Sequence, residues 1–283
     1  MPYQGRVPDY VLEMIERMGG SVWTSVTDMV AGGAAAVRTE IENMYVPDKA
    51  KTLLGWRPVE SITDQAVSES MVSVFDISGG NYNLQPQEVI CGCVGAGILT
   101  DAGGILQAPS EYYDVFAPVA GGEQISIGVE PCDAQAGNRR SGAEFTWADV
   151  RLSLPTIRSY CSREVAVQVA GVTAGTTLTF THARKLVELG AVWTPALPTI
   201  EEEMNVTAIF KCNAFPVNEV RIMLEPVGAI ADLGTDEGSA QAYLTRRLQS
   251  LQFSQESVTI YTDFDVDVAQ TAAGQAVHMI RYV

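Results

Sequence analysis

Three carboxylates at alternate positions, Asp263, Asp265 and Asp267, are the residues whose type and spacing come nearest to a chemical site. On an extended strand they share one face, and oxygen ligands of this kind suit a hard cation. A calcium-binding helix–loop–helix would need Gly where Val268 stands and a Glu farther on, and the chain has neither. Phe264, Val266 and Val268 alternate with the three acids, so the same residues describe a strand with one solvated acidic face and one buried apolar face. No metal is expected. The two histidines, His182 and His278, fall in or beside strand-like runs, and neither GxSxG nor HExxH accompanies them. Nucleophilic catalysis and a histidine-built metal site are therefore not expected. Residues 89–98 end in Gly95-Ala-Gly97, like a strand entering a dinucleotide-binding turn, but Thr100 replaces the third glycine and Asp101-Ala-Gly-Gly104 follows in place of a helix.

The five cysteines, Cys91, Cys93, Cys132, Cys161 and Cys212, are odd in number and contain no CxxC. They are expected as buried thiols rather than a disulfide framework. Asn205-Val-Thr207 has the form of a glycosylation sequon inside a strong strand pattern, and Glu201-Glu-Glu203 reads as a solvated run. The chain is thus read as a non-enzyme with no cofactor.

Composition narrows the class. With 34 acidic against 18 basic residues the net charge is −16, and repulsion from a phosphate backbone argues against direct nucleic-acid binding. Only Arg6 and Arg17 are basic before residue 30, too few for a basic packaging arm. Four Lys stand against fourteen Arg. An acidic, lysine-poor surface fits work in concentrated salt, and Arg-rich codon usage explains the same bias. A hydrophobic fraction of 47% with 18% charged residues excludes a disordered chain. No apolar run reaches the ~18 residues that span a bilayer, and no leader pattern opens the sequence. The chain is expected to begin at Met1 and to be soluble.

Positioning elements follow from periodicity. The closing stretch alternates through residues 256–268, passes a glycine-containing loop, and ends on Ala276-Val-His-Met-Ile-Arg-Tyr-Val283, predicting an antiparallel hairpin whose last strand is tied into a sheet. Near the N-terminus, Val11, Met14, Ile15 and Met18 predict a helix from Pro8 that Gly19-Gly20 ends. Val22, Val26, Val30, Val37, Ile41 and Met44 predict a second helix over 21–44. The small residues 32–36 in its middle permit close approach of another surface, either the body of its own subunit or a neighbouring subunit or membrane. Residues 49–68 read as a connector docked by Trp56 and Pro58. Strands are predicted at 71–77, 88–94, 124–129, 145–154, 164–169, 176–181, 204–212 and 219–224, with helices at 109–117 and 238–251. Each half then holds several strands, one helix and two final strands, with no residue-level repeat between them.

The expected fold is mainly β: two β-barrel or sandwich (jelly-roll-like) units, 65–157 and 158–283, behind an N-terminal helical extension and connector, 1–64. From the paired strand–helix–hairpin pattern and the terminal strand 275–283, the chain resembles β-barrel (jelly-roll) virus capsid proteins, particularly those of internal-membrane icosahedral viruses. The resemblance implies a self-assembling shell subunit located in the virion. Its partners would be copies of itself and other virion proteins, with an inner membrane as a further contact. The six apolar residues from Val22 to Met44 are the expected assembly interface. Two other classes stay open: a tail or surface-layer structural protein, and a carbohydrate- or ligand-binding β-sandwich using exposed Trp56, Trp147 or Trp193.

Overall fold

The computed structural model describes residues 7–28, 30–31, 38–63, 69–78, 90–99, 105–107, 112–131, 139–167, 171–172, 175–179, 184–194, 204–215, 217–227, 239–240, 245–253, 257–265 and 273–283. They form one helix and four antiparallel sheets. Helix α1 spans Asp9–Arg17. The first sheet joins β1 (Val22–Val26), β2 (Val30–Ala31), β4 (Thr52–Thr63), β7 (Ile105–Gln107), β8 (Tyr113–Pro118) and β10 (Arg139–Ala148). Facing it are β3 (Thr39–Tyr45), β5 (Glu69–Ser78), β6 (Ile90–Leu99) and β9 (Gln124–Pro131), with β17 (Ser239–Ala240) added at the edge. In the second half, β11 (Arg158–Val167), β14 (Arg184–Thr194), β18 (Thr245–Phe253) and β20 (Ala273–Tyr282) make one sheet. The other contains β12 (Gly171–Val172), β13 (Thr176–Thr179), β15 (Met204–Lys211), β16 (Glu219–Val227) and β19 (Ser257–Asp265).

The two halves share one topology. Count β1 with β2, β7 with β8, and β12 with β13 as single positions, leave out β17, which joins the first half's sheet, and number the positions within each half. The strand order is then 1-8-3-6 in one sheet and 2-7-4-5 in the other, in both halves. This is the strand order of an eight-stranded jelly roll, two Greek keys folded into a sandwich. The expectation of two jelly-roll-like units in a mainly β chain is met, and pairing changes hands between β10 and β11.

Several local expectations are corrected. Residues 22–45 form β1, β2 and β3 rather than a second helix. Val22, Val26 and Val30 are four apart, and a spacing of four is also a multiple of two, so it serves a strand as well as a helix. The β-branched and aromatic content of Val22-Trp-Thr-Ser-Val26 then favours the strand. Strands also stand where helices were expected: β17 and β18 lie within 238–251, and β8 covers the described part of 109–117. The expected connector is β4, paired with β10 along one side and with β7 and β8 along the other. The closing strands are both present but do not form a hairpin. β19 pairs with β15, whereas β20 lies between β11 and β14 in the opposite sheet. The C-terminal strand is tied in on both sides, and Val283 exchanges two backbone hydrogen bonds of 3.0 Å with Lys185.

Between the first pair of sheets lies a core of Leu53, Trp56, Tyr113, Phe145 and Trp147 facing Phe75, Ile77, Ile125, Ile127 and Val129. A second cluster lies apart from it, where Val7, Val11 and Ile15 pack on Leu54, Phe116, Ala148 and Leu152. It exists because β4 and β8 fall out of register: Leu53 pairs with Ala117 and Gly55 with Asp114, so Leu54 faces both Val115 and Phe116. Phe116 takes up the extra residue at φ 54°, uncommon for an aromatic, and its side chain joins the helix. Helix α1 stops as expected. Gly19, at φ 70°, donates to Glu16 O and Gly20 to Ile15 O, a six-residue glycine cap.

Candidate functional site at the junction of the two sandwiches

Asp263 and Asp265 lie on β19, opposite Thr207 and Asn205 of β15, while Asp267 is outside the described residues. Among the described residues no three His, Cys, Asp or Glu side chains converge in a way that would hold a metal ion. His278 is buried in β20, edge-on to Phe210 with ring centroids 5.9 Å apart; His182 lies outside the described residues. Cys91 and Cys93 sit two apart in β6, which continues as strand through Gly95 and Gly97, so no phosphate-cradling turn forms there. Cys161 and Cys212 are thiols, and Cys132 is outside the described residues.

The expected exposed tryptophans are corrected. Trp56 and Trp147 are both 0% exposed. Trp56 stacks on Phe145 at 6.2 Å, Phe145 on Trp147 at 5.5 Å, and Trp147 Nε1 donates to Ser25 Oγ at 2.8 Å. Two of the three rings offered as a carbohydrate platform are core. Trp193 lies on β14.

The expected assembly stripe is also split. Val22 packs on the helix cluster and Met44 on the first core. Val26 stands 68% exposed on β1. Val30 and Ile41 lie on β2 and β3, and Val37 is outside the described residues. Helix α1 packs its buried residues Val11 and Ile15 on Leu54, Phe116, Ala148 and Leu152 of the same chain. Among the described residues no helix is long and apolar enough to cross a membrane.

What the fold does bring together is a buried ionic node where the halves meet. β20 is buried on both faces: His278 meets Phe210 of its own sandwich, and Met279 belongs to the core cluster of the first half. Double burial explains why 276–283 is nearly continuously apolar rather than alternating. Arg281, two residues on, pairs in register with Glu188 of β14, and both side chains are 4% exposed. Arg281 Nη1 donates to Glu188 Oε2 at 2.7 Å. Its Nη2 donates to the carbonyl of Asp114, and its guanidinium carbon lies 5.4 Å from the Tyr113 ring centroid; both partners belong to β8 of the first half. Nearby, Ile157 N donates to Val115 O at 2.8 Å. One arginine therefore bridges both sandwiches.

The first half carries the same type of pair with its polarity reversed. Arg57 on β4 and Glu144 on β10 are register partners joined at 2.6 Å, with about a third and a quarter of each side chain exposed. Sequence reasoning passed over Glu188 and Arg281. The signal was there: each is a lone charge inside an apolar run, Leu186-Val-Glu-Leu189 and Met279-Ile-Arg-Tyr282. Such charges are rarely buried without a partner.

A second ionic contact depends on glycine. Arg38 grips Asp76 through Nε and Nη2, at 2.6 Å each. To do so it crosses β9 at Gly128, where a Cβ would overlap the guanidinium. The hydrogen bond to Asp76 raises the Arg38 pKa above its ordinary value. On β16, the hydrogen bond from Arg221 lowers the carboxyl pKa of Glu219.

No protein-family model matches the chain, and no curated protein matches it either. Among solved structures, the chain is similar to one in the atomic structure of Sulfolobus turreted icosahedral virus, at 12% identity and TM-score 0.41, over 93% of this chain and 90% of that one. It is similar to the major capsid protein of the same virus at 10% identity and TM-score 0.36, over 93% and 97% of the two chains. A further similarity is to the mosquito-larvicidal Cry4Aa toxin of Bacillus thuringiensis, at 6% identity and TM-score 0.26, over 83% of this chain and 53% of that one. No residue of this chain inherits a role from them.

Proposed function

We propose that the protein is a structural virion subunit that assembles with its own copies into a capsid shell and has no catalytic role. One observation carries the reading: two tandem sandwiches of identical jelly-roll strand order are joined through a shared core and a buried arginine. Jelly rolls serve as viral capsid and lectin domains, so the step from fold to function is an analogy of architecture. Against the lectin-like alternative stands the burial of Trp56 and Trp147.

The units are taken as a first β unit ending at 157 and a second covering 158–283, with β1 to β4 belonging to the first. Among the expected interface residues whose side chains are described, Val26 is the exposed one, and on this reading it contacts a neighbouring subunit. Other virion proteins and an inner membrane are the further partners on this reading, and nucleic acid is not contacted directly. Size-exclusion chromatography with light scattering, followed by electron microscopy of the peak fractions, tests it. Large regular assemblies are expected. A strictly monomeric protein across concentration and salt would overturn the proposal.

A further inference from the structure

We infer that the Arg281–Glu188 pair is an orientation lock, which holds the second jelly roll in one pose on the first while adding little to the stability of either. The apolar contacts of the junction, led by Met279 in the first half's core, are non-directional and tolerate sliding or rotation. The guanidinium is directional. Its planar fork must meet Glu188 on one side and the Asp114 carbonyl on the other, over the Tyr113 ring, and these partners align in one relative placement of β20, β14 and β8.

The same geometry argues against a stabilising role. Both charges are removed from water, and Arg281 Nε is buried with no hydrogen-bond partner among the described residues. Desolvation of such a pair offsets most or all of its attraction, and well-packed apolar replacements are often as stable. What an apolar pair lacks is a preferred direction.

The test uses the full chain. The variant Arg281→Met with Glu188→Leu keeps the volume and removes the direction; Arg281→Lys keeps the charge and removes the fork. Urea unfolding midpoints report stability, and amide hydrogen exchange at β8 and at residues 279–282 reports the junction. The double variant is expected to unfold at a midpoint equal to or above the parent's, while its junction amides exchange at least tenfold faster than those elsewhere in the same sheets. Glu188→Leu alone should lower the midpoint, because it strands a buried guanidinium. Parent-like junction exchange in the double variant would overturn the inference. So would a lowered midpoint with uniformly faster exchange, which would make the pair a stabiliser. Should the double variant not fold, Arg281→Lys decides: faster junction exchange at an unchanged midpoint supports the lock, and unchanged exchange refutes it.

Discussion

Replacing Ile15 by Ala separates a helix that completes its own subunit from one that faces a neighbour. Ile15 is 1% exposed, enclosed with Val11, Leu54 and Phe116, and its Cγ2 lies near Gly20 where the chain turns away. The change removes about three carbon groups at about 0.8 kcal/mol each, or about 2.4 kcal/mol of transfer free energy. The cavity left between the helix and the β4–β8 irregularity adds to that. The total should fall at about 2.5–4 kcal/mol, within the span measured for buried aliphatic truncations. Tyr10, five residues earlier on the same helix and 57% exposed, serves as the control, and Tyr10→Ala should stay within about 0.5 kcal/mol. Urea unfolding at several protein concentrations gives both values. A concentration-independent loss for Ile15→Ala with a silent Tyr10→Ala is expected. If Ile15→Ala left stability unchanged while Tyr10→Ala abolished assembly, the helix would belong to an interface and the packing argument would fail.

Other substitutions follow from the ionic contacts and the charge. Gly128→Ala should push Arg38 off Asp76 and lower stability by about 1 kcal/mol, a figure kept small by solvent screening of the partly exposed pair; an equal loss in the Asp76→Asn background would show that the two are not coupled. Arg221→Ala should return the Glu219 carboxyl upward to the ordinary carboxylate range, since the hydrogen bond favours the charged form. That contribution is present above the usual carboxylate pKa and is lost as pH falls through the depressed one, and an NMR titration without an upward shift would refute it. With a net charge of −16, melting temperature and assembly size should rise from low to molar salt; a flat or falling response would show that acidity is not tuned to salt.

Much of the architecture was legible because strand periodicity is a local signal. Residues 124–129, 204–212 and 219–224 alternate, and they form β9, β15 and β16. Helix α1 was legible because Pro8, the Val11–Ile15 spacing and Gly19-Gly20 mark its start, face and end within one stretch of chain. Which strand pairs with which is not local. The alternation of 257–265 and the apolar run of 273–282 predict two strands equally well for a hairpin or for two sheets, and only the 1-8-3-6 and 2-7-4-5 orders place β19 and β20 apart. Spacings of four misled at Val22, Val26 and Val30 because they satisfy both periods, and packing against β10 decides between them. Burial was the hardest to foresee. Trp56 and Trp147 carry no mark that separates a core ring from a binding platform until β4 and β10 bring them onto one inner face. Arg281 is a surface residue by type. It becomes a buried bridge only because the second sandwich lays β20 against the first, where the carbonyl of Asp114, 167 positions earlier in the chain, is waiting to accept it.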